Sequence, residues 1–157
     1  MYISTDTVHK EVEDFQLRDG FHLDQNNCWV ILSKLIPWCD FEQQYASCFD
    51  EKIGAPAKSF RVALGSLLIQ QILNLSDRET VEQIKENPYL QYFLGLNCYQ
   101  YKAPFDSSTL VYFRKRINRE LIETINRQIV KETLEENQEK KTHKLSKKKR
   151  KTKTKEN

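Results

Sequence analysis

The stretch from Ser76 to Leu96, SDRETVEQIKENPYLQYFLGL, constrains the fold more than any other. Ser76 followed by Glu79 is a capping box: the serine oxygen takes one orphan amide at a helix start and the glutamate takes another. Val81 and Ile84 mark one apolar face of the short helix that follows. Asn87-Pro88 closes that helix and opens a second, since proline's missing N–H costs nothing at the first helical position. Tyr89, Leu90, Phe93 and Leu94 give the second helix its apolar face, and Gly95 supplies a left-handed stop. Two short helices meeting at a tight corner cannot bury one another. The flanking segments must pack on them.

One flank is Phe60 to Leu75, FRVALGSLLIQQILNL, the most apolar segment of the chain. On a helical wheel its apolar side chains point in nearly every direction, which predicts a buried central helix. Gly65 and Ser66 are small enough for a neighbouring helix to approach closely. The other flank begins at Asp106, Ser107 or Ser108, any of which can cap a helix. From Leu110 onward Phe113, Ile117, Leu121, Ile125 and Ile129 recur at helical spacing, with Val130 and Leu134 on the same face. The spacing predicts one long amphipathic helix ending about Asn137, or two with a kink near Asn118.

Upstream, Asp24 or Asn27 can cap a helix through Trp29, Val30, Leu32, Leu35 and Ile36. Pro37 ends it or begins the next, which spans about Asp40 to Phe49. Residues 53–57, IGAPA, read as a connector by their breaker content. No period-two strand pattern of useful length occurs, and the chain has only four glycines. The predicted fold is all-α: a compact multi-helix domain of about six or seven helices around Phe60–Leu75. Residues 1–26 read as a polar, loosely held arm, 27–137 as the helical domain, and 138–157 as a basic tail with almost nothing to bury, hence disordered.

The 157 residues suit one domain, and the net charge of +3 hides a strong split. Through Glu139 there are 15 lysines and arginines against 21 acids; from Lys140 onward there are 10 cations and one glutamate. An acidic body thus carries a basic tail. Cys28, Cys39, Cys48 and Cys98 form no C-x-x-C pair, and His9, His22 and His143 fall at no metal-ligand spacing. The expectation is four reduced thiols, buried or half-buried, in a cytoplasmic protein. The N-terminal stretch has neither the basic start nor the apolar run of a secretory signal. No stretch approaches the roughly 18 continuous apolar residues of a membrane span, so no membrane partner is expected.

Two features point to nucleic acid. On the helix from Ser108, Lys115, Arg116, Arg119 and Tyr112 fall opposite the apolar face, with Arg114 on the border. Three cations on the outer side of an anchored helix can hold phosphates, and a helix fits a major groove. A plain solvated face has the same pattern. The tail, with Lys147, Lys148, Lys149, Arg150 and Lys151 at its centre, can bind polyanions without sequence preference, or serve as a solubilising linker. Catalysis has little support: there is no glycine-rich phosphate loop and no G-x-S-x-G. Glu132, Glu135 and Glu136 read as helix surface, and Asp40, Asp77 and Asp106 as helix caps.

The segments FRVALGSLLIQQILNLSDRETVEQIKENPYLQYFLGL and APFDSSTLVYFRKRI, with LIPWCDFEQQYASCF and Pro56-Ala57-Lys58 upstream, resemble the N-terminal domain of bacterial insertion-sequence DDE transposases, the insertion-sequence-five-like superfamily. The resemblance covers about Leu35 to Ile117. It implies a helical domain that helps bind the element's terminal inverted repeats. A charged linker follows, then a ribonuclease-H-like domain whose Asp-Asp-Glu triad holds two divalent metal ions. No residue here matches that triad, so the expectation is a truncated transposase that binds DNA without catalysis and needs no cofactor of its own. Lys115, Arg116 and Arg119 are the expected primary contacts, with Arg114 and Tyr112 secondary. The alternatives are a helical dimerisation module, pairing with itself or with a full-length transposase and inhibiting the latter, and a decayed reading frame.

Overall fold

Local capping chemistry sets most helix boundaries. Asn27 accepts the Trp29 amide at 2.9 Å and starts α1 (Cys28–Leu35). Pro37 then introduces α2 (Trp38–Ala46), and the Trp38 indole donates to the Ser33 carbonyl at 2.8 Å, pinning the corner between them. Ser59 caps α3 (Phe60–Leu73), which ends on Asn74 at φ +52°, a left-handed stop with the Leu75 amide reaching back to Gln70. Ser76 and Glu79 form the expected capping box on α4 (Asp77–Glu86). Asn87 closes α4 and caps α5 (Pro88–Phe93), with proline at its first turn. Gly95, at φ +77°, ends α5: its own amide bonds to Tyr92 and that of Leu96 to Gln91, a Schellman motif. Next comes α6 (Thr109–Arg116), whose approach is organised by Asp106 accepting the Ser108 amide at 2.9 Å.

The computed structural model describes residues 15–17, 20–49, 57–117, 119–127 and 130–131. Among them there is no strand, only a single parallel bridge between Gln16 and Cys98, so the all-α expectation holds. The connector at 53–56 and the tail from Lys140 lie outside the described residues. By its internal contacts the chain divides at Arg119. In the unit beginning at Glu120 the described backbone is helical through 127, and Leu121 and Ile125 are buried.

In the first unit α3 packs against α2, α4 and α6, while α5 packs against α1 and α4. Gly65 is where α3 meets the segment after α5: a Cβ there would lie 2.7 Å from Leu94 Cδ2. Phe93 sits at the centre of an aromatic cluster, edge-on to Trp29 at 5.2 Å and to Trp38 at 5.5 Å.

Arg61, at the second position of this most apolar helix, is buried. Its Nε donates to the Phe93 carbonyl at 2.9 Å, and Nη2 donates to the Tyr92 carbonyl at 3.0 Å and to Ser33 Oγ at 2.8 Å. A cation near the start of α3 is disfavoured by that helix's own dipole, but the fork reaches the carbonyl end of α5, where positive charge is favoured. The guanidinium also lies over the Trp38 ring, 5.2 Å from its centroid. Burial lowers its pKa to about 10, which leaves it charged at neutral pH. Arg61 thereby ties α3 to α1 and α5. Gly95 makes room for it, since a Cβ there would meet Arg61 Cδ at 2.8 Å.

Three expectations need correction. The C-terminal end of the central helix is not enclosed: Ile72 and Leu73 are exposed, because no helix among the described residues covers the last turn of α3 on that side. The segment before Asn26 is not loose where it is described. Phe15 and Leu23 join Val30 and Tyr92 in a core cluster, and Gln16 bonds through both its amide and its carbonyl to the 97–99 loop. Cys28, Cys39 and Cys48 are exposed rather than buried, since they lie on the outer sides of α1, α2 and its following turn; Cys98 is half-buried, and no disulfide joins the four. Of the two readings for the helix from Leu110, the broken one holds: α6 does not run on as one long helix. Ile117 leaves helical geometry at φ −92°, ψ 89°, before the backbone is helical again from 119.

Candidate nucleic-acid interface

α6 is anchored on its inner side by Leu110 and Phe113, both buried, with Phe113 edge-on to Phe105 at 5.4 Å. Ile117, just past its end, is buried too. That anchoring fixes the rotation of the helix and leaves Val111, Tyr112, Arg114 and Lys115 exposed. Three cations, Arg114, Lys115 and Arg116, occupy the last turn, where they also suit the negative end of the helix dipole.

The five candidate residues near α6 fall into different environments. Lys115 is exposed, its ammonium 5.9 Å from the centroid of the exposed Tyr112 ring one turn earlier. Together they form an amphipathic outer spot with a cation and a flat aromatic face. Arg116 is half-buried and lies over the Phe49 ring at 4.5 Å, tying the end of α6 to the turn after α2. Its charge acts on Tyr45, whose phenol is nonetheless pushed up to about 12 by burial. Arg119 is exposed but lies beyond the break at Ile117, so a single wheel does not place it with Lys115.

Arg114 is held by short polar contacts. Its Nη1 and Nη2 donate to the two oxygens of Asp77 at 2.8 and 2.7 Å, a bidentate grip across 37 residues. Gln70 completes the cluster, its oxygen accepting from Arg114 Nη1 at 3.0 Å and its amide donating to Asp77 Oδ1 at 2.7 Å. The hydrogen bonds from Arg114 and then Gln70 hold the Asp77 carboxyl down at about 2, and the same contact raises Arg114. Asp77 thus does more than open α4: it joins α4, α3 and α6. Lys147, Lys148, Lys149, Arg150 and Lys151 lie outside the described residues.

Sequence reasoning missed two buried polar residues that hold this surface's surroundings in place. Arg61 was hidden within an apolar run. Its one available signal was its charge: a lone cation in a segment expected to be buried all round requires an internal partner. Gln91, fully buried on α5, donates to the Gln100 carbonyl at 2.8 Å and accepts the Gln100 amide at 2.7 Å, pairing with the loop as a strand would. Its remaining amide hydrogen goes to the Lys85 carbonyl at 3.1 Å.

No group of three or more histidine, cysteine, aspartate or glutamate side chains among the described residues could hold a metal ion. No helix among them is long and apolar enough to cross a membrane.

Fold and surface together define an all-α domain that carries a short, firmly anchored helix with a basic C-terminal turn. Residues 19–116 match the family model described as "Transposase domain (DUF772)", and the chain belongs to that family. It is also 36% identical over 106 residues to "Uncharacterized protein ORF8 in nfe locus" from Rhizobium meliloti. That match covers 68% of this chain and 51% of the relative, so the chain spans about half the relative's length. No solved structure matches.

Proposed function

We propose that this chain is the DNA-end recognition part of an insertion-sequence-five-like transposase and that it binds the terminal inverted repeats of its parent element. The observation that carries the reading is membership of the transposase-domain family over a segment that ends on the basic turn of α6. In this reading Lys115, Arg116 and Arg119 contact phosphates or groove edges, Tyr112 packs beside them, and the tail cations from Lys147 to Lys151 add sequence-independent attraction. The described residues bind and position DNA; the strand chemistry belongs to a ribonuclease-H-like domain with its own acidic triad and divalent metals. Gel-shift titration of an inverted-repeat duplex against a scrambled one tests the assignment. Replacing Lys115, Arg116 and Arg119 by Ala should weaken binding to the repeat, and unchanged affinity at physiological salt would overturn it.

A second reading is favoured by the exposure of Ile72 and Leu73 at the end of α3 and Val111 on α6, two helices that pack against each other. In that reading the helical domain pairs with a second copy of itself or with a full-length transposase, inhibiting the latter through mixed dimers. Removing residues 140–157 separates the two. Specific end binding survives if α6 reads DNA and vanishes if the helical domain only dimerises.

A further inference from the structure

The bidentate contact between Arg114 and Asp77 couples the basic helix to the acidic one. A guanidinium that grips a carboxylate with both of its terminal nitrogens, at 2.7 and 2.8 Å, presents to it the fork that would otherwise grip a phosphate. In this geometry the contact with Asp77 commits both nitrogens, and Gln70 takes a further hydrogen bond from Nη1. The pair is not sealed in the core: the Arg114 side chain is 44% exposed and that of Asp77 33% exposed. A phosphate oxygen can therefore reach the same nitrogens, and the carboxylate competes with it directly. Arg114 neighbours Lys115 on the outer surface of α6, so its release would extend the basic surface rather than create a separate one.

We propose that Asp77 is a specificity-determining residue of the α6 surface: an internal stand-in for a DNA phosphate that keeps Arg114 out of sequence-independent contact with the duplex. The inference rests on the reading of α6 as the DNA-facing helix. In the free protein α6 offers one cation fewer than its sequence contains. Non-specific binding, which scales with the number of phosphates neutralised, is correspondingly weaker, whereas base-edge contacts are unaffected. Asp77 thus favours the cognate duplex by suppressing the competitors.

The test is the salt dependence of binding to a scrambled duplex, followed by fluorescence anisotropy, for the wild type and five variants. Asp77→Asn keeps the shape of the side chain and an oxygen for Gln70 but removes the charge that holds Arg114. One added phosphate contact should steepen the plot of log K against log salt by about 0.9 and tighten binding about five-fold at ~0.15 M salt. Asp77→Asn combined with Arg114→Ala should return the slope to the wild-type value. Arg114→Ala alone should leave it unchanged, because a committed cation contributes no contact. Glu86→Gln, the same change of charge on the exposed side of α4, is the control and should also leave the slope unchanged. A wild-type slope for Asp77→Asn, in a protein whose binding still falls when Lys115, Arg116 and Arg119 are replaced by Ala, overturns the role of Asp77 while sparing the interface. Retention of the gain without Arg114 also overturns it, by assigning the effect to net charge. If the triple replacement leaves binding intact, the DNA-facing reading of α6 fails and this inference falls with it. Thermal melts of each variant establish that the compared proteins are folded.

Discussion

Replacing Arg61 isolates the contact on which three helices converge. Arg61→Ala removes three hydrogen bonds from a charged donor and the stacking over Trp38. The Tyr92 carbonyl retains the Gly95 amide at 2.8 Å, but the Phe93 carbonyl and Ser33 Oγ lose the donor that reaches them. An orphaned buried polar group costs about 1–3 kcal/mol, and truncating a large buried side chain to alanine about 2–5 kcal/mol. Against these stands relief from burying a charge, worth several kcal/mol. The balance comes to about 3 kcal/mol of lost stability. Arg61→Lys keeps the charge but lacks the planar fork, so it cannot serve both carbonyls and the serine together, and should lose about 2 kcal/mol. Arg61→Met fills the volume without a charge but leaves the Phe93 carbonyl without its donor, for about 1–2 kcal/mol. Urea titrations followed by far-ultraviolet circular dichroism at 25 °C give all three values. A lysine variant within about 0.5 kcal/mol of wild type would refute the argument from fork geometry, since a point charge would then suffice.

Three further perturbations probe other contacts. Gly65→Ala gains helix propensity worth about 1 kcal/mol but drives a Cβ to 2.7 Å from the buried Leu94, and overpacking of that kind costs about 1–3 kcal/mol. The expected net result is a loss near 1 kcal/mol in urea unfolding. Gln91→Leu strips the Gln100 amide of its acceptor, so hydrogen exchange at that amide should accelerate markedly ahead of global unfolding, with about 2 kcal/mol of stability lost. The folded pKa of Asp77, about 2, lies below the ordinary 3.8, so its pairing stabilises fully above pH 3.8 and fades as pH falls towards 2. The stability gap between wild type and Asp77→Asn should therefore be flat from pH 7 to 4 and close between pH 4 and 2. Its size, screened by solvent at this partly exposed site, should stay below about 1 kcal/mol.

What was legible in the sequence is what local chemistry determines. Asn27, Ser76, Asn87 and Gly95 act within a few residues of themselves, so a cap or a stop can be recognised without knowing the neighbours. Periodicity likewise reveals which side of α6 is buried. It does not reveal where the covering partner ends, which is why Ile72 and Leu73 looked enclosed and are not. Phe15 and Leu23 are scattered with Leu17 and Phe21 in a polar stretch and carry no helical period, yet both reach the core. The polar residues that join the helices were illegible for a related reason. Arg61 meets Phe93 across 32 positions, and Arg114 meets Asp77 across 37. Asp77 was legible only as a helix cap, a local role that points to no partner on another helix. The break at Ile117 then separates Arg119 from the wheel that had grouped it with Lys115. The basic side of α6 was visible in advance; the partner that occupies one of its cations was not.

The DNA-facing role of α6 is tested most directly by the salt dependence of binding to an inverted-repeat duplex. Wild type is compared with the protein in which Lys115, Arg116 and Arg119 are all alanine. Loss of three phosphate contacts should make the slope of log K against log salt shallower by about 2.7 and lower affinity throughout the range. An unchanged slope and affinity, in a variant shown to be folded, would contradict the assignment and leave DNA contact to other parts of the protein.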